Sequence, residues 1–246
     1  MTKGKIIQNC KELLKAYDDG LLGDTTMPED SHPKFDDNEE RLAYFTLPMA
    51  LNYQRDSYSL WKAALKTFND PETREVFEIS RAAKLDDEIL RKKLVKYKLA
   101  LQPNKHIQTW KRLSQVFNNH WGTIEKFFDI NNNDFLLIKD NVQNKFKKEF
   151  PYLSGPKIFN YWCFIISSFG GVDLSNMEFI EIAPDTHVTK CSVILGVTSQ
   201  DEAEKLTKNQ ISSRWRELLH GSSIAPIEMH PPLWFWSKNN FKYKLK

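Results

Sequence analysis

The chain has little glycine, few cysteines and no long uncharged apolar run. Only nine of its 246 residues are glycine, and alternating runs of Val, Ile and Thr are scarce, which argues against a protein built mainly of β-strands. Lys, Glu, Leu and Ala are abundant instead. These proportions predict a nearly all-α protein, and a chain of this length can form one large domain or two lobes that share a core.

No apolar run is long enough to cross a bilayer, and the first residues, MTKGKIIQNC, lack the apolar core of a signal peptide. We therefore expect a protein of the cytoplasm, or of the nucleus if the source is eukaryotic, with no membrane partner. We expect it to act as a monomer.

Three cysteines, Cys10, Cys163 and Cys191, lie far apart and form no C-x-x-C pair. An odd number at these spacings argues against a disulfide framework and against a zinc site. We interpret all three as small residues of the core.

Positive charge is unevenly distributed, which is more informative than the formal net charge of +3. One cluster lies between residues 81 and 98, and a second comprises Lys145, Lys147 and Lys148. Basic helix faces are usually only solvated, and this is our interpretation of the first cluster. Lys147 and Lys148 precede a turn and are better placed to contact phosphates.

Apolar periodicity and capping residues predict a succession of helices. Asp37, Asp56 and the pair Ser199 and Glu202 have the positions of N-terminal caps. The predicted helices are 4–17, 38–53, 57–68, one beginning near Asn69-Asp70-Pro71-Glu72, 86–100, 104–119, 121–130, 134–149, 158–169, 187–195, 199–220 and one introduced by Pro226.

Two of these helices begin beside chemically useful residues. Lys157 follows a tight turn, Leu153-Ser154-Gly155-Pro156, and opens a run that is apolar almost all round. Asp185 precedes the helix at 187–195 in the position of an N-cap. The roughly 15 residues after Phe169 could span about 50 Å if extended, so the chain can bring the two side chains face to face.

Such a pair has a chemical use. The helix macrodipole, worth roughly 0.3–1 kcal/mol, disfavours an ammonium and favours a carboxylate at a helix N-terminus. A neutral primary amine can attack a sugar anomeric carbon, open the ring and leave a Schiff base. Lys157 could thus displace a base and break the strand, while Asp185 stabilises positive charge on the sugar. Either residue alone could equally be a simple cap.

The hairpin LSGPK, the apolar helix and the later PDTHV resemble the helix-hairpin-helix DNA glycosylases, whose fuller pattern is L-P-G-(V/I)-G-x-K followed by V-D-T-H-V. The segments KIFNYW, IEIAPD and PPLW are similar to the archaeal 8-oxoguanine glycosylase/lyase group called AGOG. This hairpin is two residues shorter than the general pattern and lacks its second glycine.

The resemblance implies specific roles for three residues. Lys157 would be the nucleophile, Asp185 would assist it, and Trp234 would stack on the extruded base. It also implies a two-lobed helical fold with the active cleft between the lobes. Residues 40–150 would form one lobe, and residues 1–39 with 151–246 the other.

Further residues would complete this site. The cleft wall would bring Trp61 and Gln54 towards Tyr161, although core packing is the alternative for each aromatic residue, Trp234 included. His230 replaces an expected acid four places before Trp234 and could bind a flipped base or cap the last helix.

Contacts to the DNA backbone are expected from His187, from Lys147 and Lys148, and from the amides of Ser154 and Gly155, since glycine lets a backbone approach closely. The chemistry needs no cofactor or metal, although hairpins of this type can hold a monovalent cation on backbone carbonyls.

The function that these features imply is a bifunctional DNA glycosylase and AP lyase that excises 8-oxoguanine from double-stranded DNA. Three alternatives stay open. These are a glycosylase for another damaged base, a non-catalytic helix-hairpin-helix protein that binds DNA, and a helical protein–protein scaffold.

Overall fold

The computed structural model describes all 246 residues and is built from α-helices. It contains thirteen α-helices and no β-strand, and its only β-type pairing is an isolated bridge between Asp134 and Ser175. The predicted all-α class is therefore confirmed. None of the helices is both long enough and apolar enough to span a membrane.

In chain order the α-helices are α1 Lys3–Asp18, α2 Asn38–Ala50, α3 Ser57–Asn69, α4 Ile79–Ala82, α5 Asp87–Lys96, α6 Pro103–His120, α7 Ile124–Ile130, α8 Phe135–Asp140, α9 Pro156–Phe169, α10 Thr186–Ile194, α11 Gln200–Lys205, α12 Lys208–Leu219 and α13 His230–Lys238. Short 3-10 helices occur at Pro28–Asp30, Arg74–Phe77, Lys147–Glu149, Met177–Phe179 and Pro226–Met229. Asn141–Lys145 forms a π-helical turn.

Side-chain caps start several helices at the predicted residues. Asp37, Asp56 and Asp185 each accept a hydrogen bond from the backbone N–H three residues further on, at 2.8, 2.8 and 2.9 Å. Ser199 and Glu202 form the predicted capping box. Each of these caps satisfies an amide that the first turn of a helix leaves without a partner.

The helices expected at 38–53, 86–100 and 121–130 are shorter, at Asn38–Ala50, Asp87–Lys96 and Ile124–Ile130. Three other predicted helices differ in number or geometry. The helix expected at 199–220 is divided because Thr207 and Gln210 form a second capping box, which starts α12. The helix expected at 134–149 leaves α geometry at Asn141, whose side-chain amide donates to Asn131 Oδ1 at 2.6 Å. The start expected at 69–72 yields only a 3-10 turn, because the Thr73 hydroxyl donates to Thr67 O at 2.6 Å and holds the loop.

The chain divides into two compact units. One comprises Met1–Thr26 with Asn176–Lys246, and the other comprises Met27–Ser175. The hairpin and α9 thus group with the middle of the chain, whereas the boundaries expected from the resemblance fall at 39/40 and 150/151.

Packing of α9 on α2 explains why the hairpin belongs to the 27–175 unit. The indole N–H of Trp162 donates to Thr46 Oγ1 at 3.0 Å, and both residues are fully buried. Phe169 lies against Phe45 with ring centroids 5.7 Å apart. Trp162 also packs on Phe128 of α7 at 5.5 Å. The helix that carries Lys157 near its start is therefore held along its length by aromatic contacts.

In the other unit, α13 packs on α10 and α1. The Cys191 thiol lies 3.1 Å from Leu233 O, and Tyr17 stacks on Phe235 with centroids 5.9 Å apart.

The three cysteines of the chain are buried and unpaired, as predicted. Burial raises the pKa of the Cys10 and Cys191 thiols to about 12, so neither is a reactive thiolate at neutral pH.

Replacing Trp162 by Phe should lower the free energy of unfolding by about 2–3 kcal/mol, because buried volume and a hydrogen bond are both lost. Thr46→Val should cost about 1–2 kcal/mol, because the indole N–H is left buried without an acceptor. The double variant should be less destabilised than the sum of the two single variants. Denaturant unfolding of the four proteins measures this coupling, and strictly additive losses would contradict it.

Candidate functional site

The backbone before Lys157 is a compact turn braced by its own amides. Tyr152 has a left-handed conformation with φ of 64°. The Ser154 amide donates to Phe150 O at 3.0 Å, and the Gly155 amide donates to Tyr152 O at 2.9 Å. The side-chain amide of Gln143 donates to Ser154 O at 3.1 Å, which ties the turn to the preceding π-helical turn.

These bonds correct the expectation that the amides of Ser154 and Gly155 bind a phosphate, because both already donate inside the turn. Gly155 is needed for close approach, since a Cβ there would lie 3.1 Å from Tyr152 O. The first amides of α9 with no acceptor are those of Lys157 and Ile158. Any anion at this helix end would meet those two groups.

Lys157 is exposed at the second position of α9. Within its unit, its ammonium group has no hydrogen-bond or ion-pair partner. Lys147 and Lys148 are also exposed and unpaired, whereas Lys145 forms an ion pair with Asp140 at 2.9 Å. Three unpaired cations thus lie within eleven residues of sequence, on either side of the turn.

The larger basic cluster is mostly neutralised by neighbouring acids. Lys93 pairs with Glu75 at 2.8 Å, and Lys96 pairs with both Asp70 and Glu72 at 2.7 Å. The contact with Asp70 first, and that with Glu72 second, raise the pKa of Lys96. These pairs fasten α5 to the loop after α3, whereas Lys84, Lys92 and Lys98 of the same cluster are exposed and form no ion pair.

A buried carboxyl group that sequence reasoning missed lies beside two of the predicted base-binding residues. Glu29 is 1% exposed. It accepts a hydrogen bond from the Tyr161 hydroxyl at 3.1 Å, and both this bond and the nearby Trp61 indole act to lower its pKa. Burial raises the pKa of Glu29 to about 7. In sequence, Glu29 is only one of many acids between residues 18 and 40, so nothing distinguishes it.

The Glu29 carboxyl group is only partly satisfied. Its Oε2 atom and the hydroxyl of Tyr44 are both buried without a hydrogen-bond partner. The negative charge of Glu29 adds to burial, the larger cause, in raising the pKa of Tyr44. Buried polar atoms without a partner are costly and uncommon, so these two atoms are candidates for contact with a bound water or ligand.

Trp61 and Tyr161 differ in what they can offer a ligand. Trp61 is 1% exposed, and its ring packs on Tyr44 and Phe45 at 5.9 and 5.7 Å. It is a core residue, so it can influence a site only through its effect on Glu29. Tyr161 is half-buried and lies one turn after Lys157 on the same helix face.

The loop after α2 and the first turn of α6 meet the turn before α9. The rings of Tyr53 and Tyr152 lie 5.4 Å apart, and the ammonium group of Lys105 lies 5.4 and 4.8 Å from their centroids. We call these three residues the tyrosine–lysine cluster. Next to it, Gln54 is exposed and left-handed, with φ of 47°. A cation over exposed aromatic rings is suited to phosphates and to stacked bases.

Arg55 anchors the Tyr53–Gln54 loop to the loop after α5. Its guanidinium group donates to Leu99 O at 2.7 Å and to Lys98 O at 3.2 Å. Burial, together with the smaller effects of the Arg55 and Lys105 charges, lowers the pKa of His106 to about 4. This part of the surface therefore keeps its positive charge through Arg55 and the lysines, with His106 neutral.

In the other unit, Asp185 caps α10 as predicted. Its Oδ1 accepts from the amide of Val188 at 2.9 Å, and its backbone carbonyl accepts from the Thr189 hydroxyl at 2.6 Å. The second carboxylate oxygen has no hydrogen-bond partner within the unit. A capping role and a chemical role are thus compatible for this half-buried residue.

Trp234 lies beside two polar residues of the same unit, His187 and Lys238. The His187 ring packs edge-on at 5.4 Å, and the Lys238 ammonium group lies 4.7 Å from the indole centroid. His187 is held in turn by Ser237, with Nδ1 and Oγ 3.0 Å apart. Trp234 is half-buried, so its ring is fixed without being enclosed.

His230 is 8% exposed and is the first residue of α13. The N-cap position belongs to Met229, which provides no side-chain hydrogen bond. The interpretation of His230 as the cap of the last helix is therefore wrong.

Comparison of the chain with protein-family models, with curated proteins and with solved structures gave no match. No group of three or more His, Cys, Asp or Glu side chains is arranged to hold a metal ion.

Replacing Glu29 by Gln should change how stability depends on pH. Because the folded-state pKa is about 7 against an ordinary 4.5, the folded protein binds more protons than the unfolded chain between these values. Glu29 therefore lowers stability as pH rises from 4.5 to 7, by up to about 3 kcal/mol. Glu29→Gln should be more stable than wild type at pH 8 and little changed at pH 4.5, in denaturant unfolding at each pH.

The control for that experiment is Glu88→Gln, which removes an exposed carboxylate from the same unit. Its unfolding free energy should follow the wild-type pH profile. A Glu29→Gln protein that also followed the wild-type profile would show that Glu29 is not the group that titrates.

Proposed function

We propose that this protein is a bifunctional DNA glycosylase and AP lyase that removes oxidised guanine, specifically 8-oxoguanine, from double-stranded DNA. The proposal includes a two-lobed helix-hairpin-helix arrangement for the fold. The observation that carries it is the accessible, unpaired amine of Lys157, which is the last residue of the hairpin LSGPK and the second residue of α9.

In the proposed reaction, the neutral amine of Lys157 forms a bond to the sugar C1′ as the bond from C1′ to the base nitrogen breaks. The released base takes up a proton. Opening of the sugar ring then gives a Schiff base between Lys157 and C1′. Loss of a C2′ proton and departure of the 3′ phosphate break the strand, and hydrolysis of the Schiff base returns the free lysine.

Asp185 is assigned to electrostatic assistance. Its Oδ1 is oriented by the amide of Val188 at 2.9 Å, which leaves the other oxygen for the positive charge that develops on the sugar. A carboxylate held in advance needs no reorganisation when that charge appears. The capping bond therefore supports the proposed chemistry by orienting the group.

Recognition of the extruded base is assigned to one aromatic side chain and to two polar groups. Trp234 would stack on the base, and Tyr161 with the carboxyl group of Glu29 would supply polar contacts. Trp61 would act only by orienting Glu29. Stacking of roughly 1–3 kcal/mol offsets the few kcal/mol that extrusion from the duplex costs.

Phosphate contacts are assigned to the exposed cations around the hairpin. Lys147, Lys148 and the tyrosine–lysine cluster are the candidates, with Gln54 next to the cluster. The pairing of Lys93 and Lys96 with acids supports this choice over α5. His187 is assigned two roles: it holds Trp234 in place, and it helps to position the DNA backbone.

A glycosylase for another damaged base is the second candidate. Two polar groups favour this candidate. His230 replaces the acid expected from the resemblance, and Glu29 contributes a carboxyl group with one oxygen that has no donor. Rates of base release from duplexes that each carry one oxidised, alkylated or deaminated base would separate the two candidates.

Borohydride reduction with an 8-oxoguanine duplex should trap a covalent protein–DNA band for wild type. Lys157→Gln should abolish that band. Borohydride traps the complex by reducing the Schiff base on Lys157 Nζ to a secondary amine, and glutamine cannot form that Schiff base. Lys126→Gln, which removes another exposed lysine of the same unit, should leave the band unchanged. Asp185→Asn should slow its formation roughly 10²-fold. The readout is a denaturing gel.

A band that persists in Lys157→Gln would overturn the assignment of the nucleophile. Release of free base without a band would indicate a glycosylase that lacks the lyase step. Binding with no product from any lesion duplex would favour the non-catalytic DNA-binding protein, and no binding at low salt would favour the scaffold.

Neutralising the hairpin lysines should weaken binding to a lesion duplex and reduce its salt dependence. Lys147→Gln and Lys148→Gln should each lower the slope of log K against log salt by about 1, because each removes one phosphate contact. Lys92→Gln, an exposed lysine of α5, is the control and should not change the slope. Titrations at several salt concentrations measure it, and equal slopes in all variants would exclude the assignment.

A further inference from the structure

One tyrosine hydroxyl in the 27–175 unit joins a buried carboxyl group to the side of α9 that carries Lys157. The Tyr161 hydroxyl lies 3.1 Å from Glu29 Oε1. Glu29 is 1% exposed, whereas Tyr161 is only half-buried. Because Tyr161 lies one turn after Lys157, the two side chains share a helix face. The hydroxyl therefore connects an enclosed acid with the surface on which the proposed nucleophile lies.

The two carboxyl oxygens of Glu29 have different surroundings. Oε1 faces the Tyr161 hydroxyl, while Oε2 is enclosed and has no hydrogen-bond partner. A proton on Oε2 would be buried without an acceptor, which is costly. A proton taken up by Glu29 is therefore placed on Oε1, where the tyrosine oxygen can accept it.

The protonation state of Glu29 fixes the direction of this hydrogen bond. An ionised carboxylate can only accept, so the Tyr161 O–H donates to it and the tyrosine oxygen can itself accept from another donor. A protonated Glu29 donates through Oε1 instead, and the Tyr161 O–H then points away from the carboxyl group. The same hydroxyl thus acts as an acceptor in the first state and as a donor in the second.

We propose that this pair determines specificity for oxidised guanine by presenting the Tyr161 oxygen to N7–H of the extruded base while Glu29 is ionised. The inference rests on the proposed function. Guanine has an acceptor at N7, whereas 8-oxoguanine has an N–H donor there. An acceptor on the protein therefore pairs with the oxidised base and repels the ordinary one. When Glu29 is protonated, the Tyr161 O–H suits an acceptor at N7, and the discrimination is lost.

The groups around Glu29 place this change near neutral pH. Burial raises the pKa of Glu29 to about 7, with a minor contribution from the charge of Asp30. Trp61 of α3 and Tyr161 of α9 act in the opposite direction, but more weakly. Tyr44 of α2 also faces Glu29, and burial with the Glu29 charge raises the pKa of Tyr44, which stays neutral. The acceptor state therefore prevails above pH 7 and the donor state below it.

The test compares two duplexes that differ in the hydrogen-bonding character of N7. One carries 8-oxoguanine, and the other carries 8-bromoguanine, which has a bulky substituent at C8 but an unprotonated N7. A 2′-fluoro sugar prevents base release, so that Kd can be measured at equilibrium by fluorescence anisotropy at pH 5.5 and at pH 8. The ratio of the two Kd values removes any effect of pH on phosphate contacts, because both duplexes have the same backbone.

For wild type, the preference for 8-oxoguanine should be roughly tenfold stronger at pH 8 than at pH 5.5, because the hydrogen bond to N7–H forms only in the acceptor state. Tyr161→Phe and Glu29→Gln should each give the same ratio at both pH values. The first variant lacks the hydroxyl, and the second lacks the group that titrates. Glu88→Gln removes an exposed carboxylate of the same unit and should show the wild-type change.

A wild-type ratio that is the same at both pH values would overturn the inference, as would a ratio that still changes with pH in Tyr161→Phe or Glu29→Gln. Borohydride trapping separates this failure from failure of the proposed function. A trapped band on the 8-oxoguanine duplex, together with an unchanging ratio, overturns the specificity role alone. If there is no band and no preference for 8-oxoguanine at either pH, the proposed function fails and this inference fails with it.

Discussion

The packing of α9 on α2 is the constraint on which the 27–175 unit depends. The hydrogen bond from Trp162 to Thr46 joins the two helices inside an aromatic core, where an unpaired indole N–H would be costly. Because this contact fixes the helix, it also fixes the turn that precedes it. Lys157 is thus an exposed residue on a rigid support, which is what a positioned nucleophile requires.

Polar groups buried beside this core divide into satisfied and unsatisfied ones. Thr46 and Trp162 satisfy one another, as do Trp215 and Ser192 in the other unit. Glu29 retains one oxygen without a donor. Satisfied groups stabilise and specify a core, whereas an unsatisfied carboxyl group lowers stability. Its retention beside Tyr161, one turn from Lys157, is the reason for including Glu29 in the proposed site.

Charge shows the same division between structural and available groups. The cations of α5 are concentrated in sequence, yet their neighbours include enough acids to pair with most of them. Lys147, Lys148 and Lys157 are fewer, but they are unpaired within their unit. Since a phosphate must compete with any internal partner, the number of cations in a segment is a poorer guide to a nucleic-acid surface than their pairing.

The sequence by itself determined the all-α class, most helix positions and the caps at Asp37, Asp56 and Asp185, because a cap joins residues only three positions apart. It also singled out Lys157. Only the tertiary structure decided that Trp61 is core, that the Ser154 and Gly155 amides are used, and that Glu29 is buried. Those outcomes depend on contacts such as Tyr161 with Glu29, which are 132 residues apart, and no local pattern encodes such a pairing.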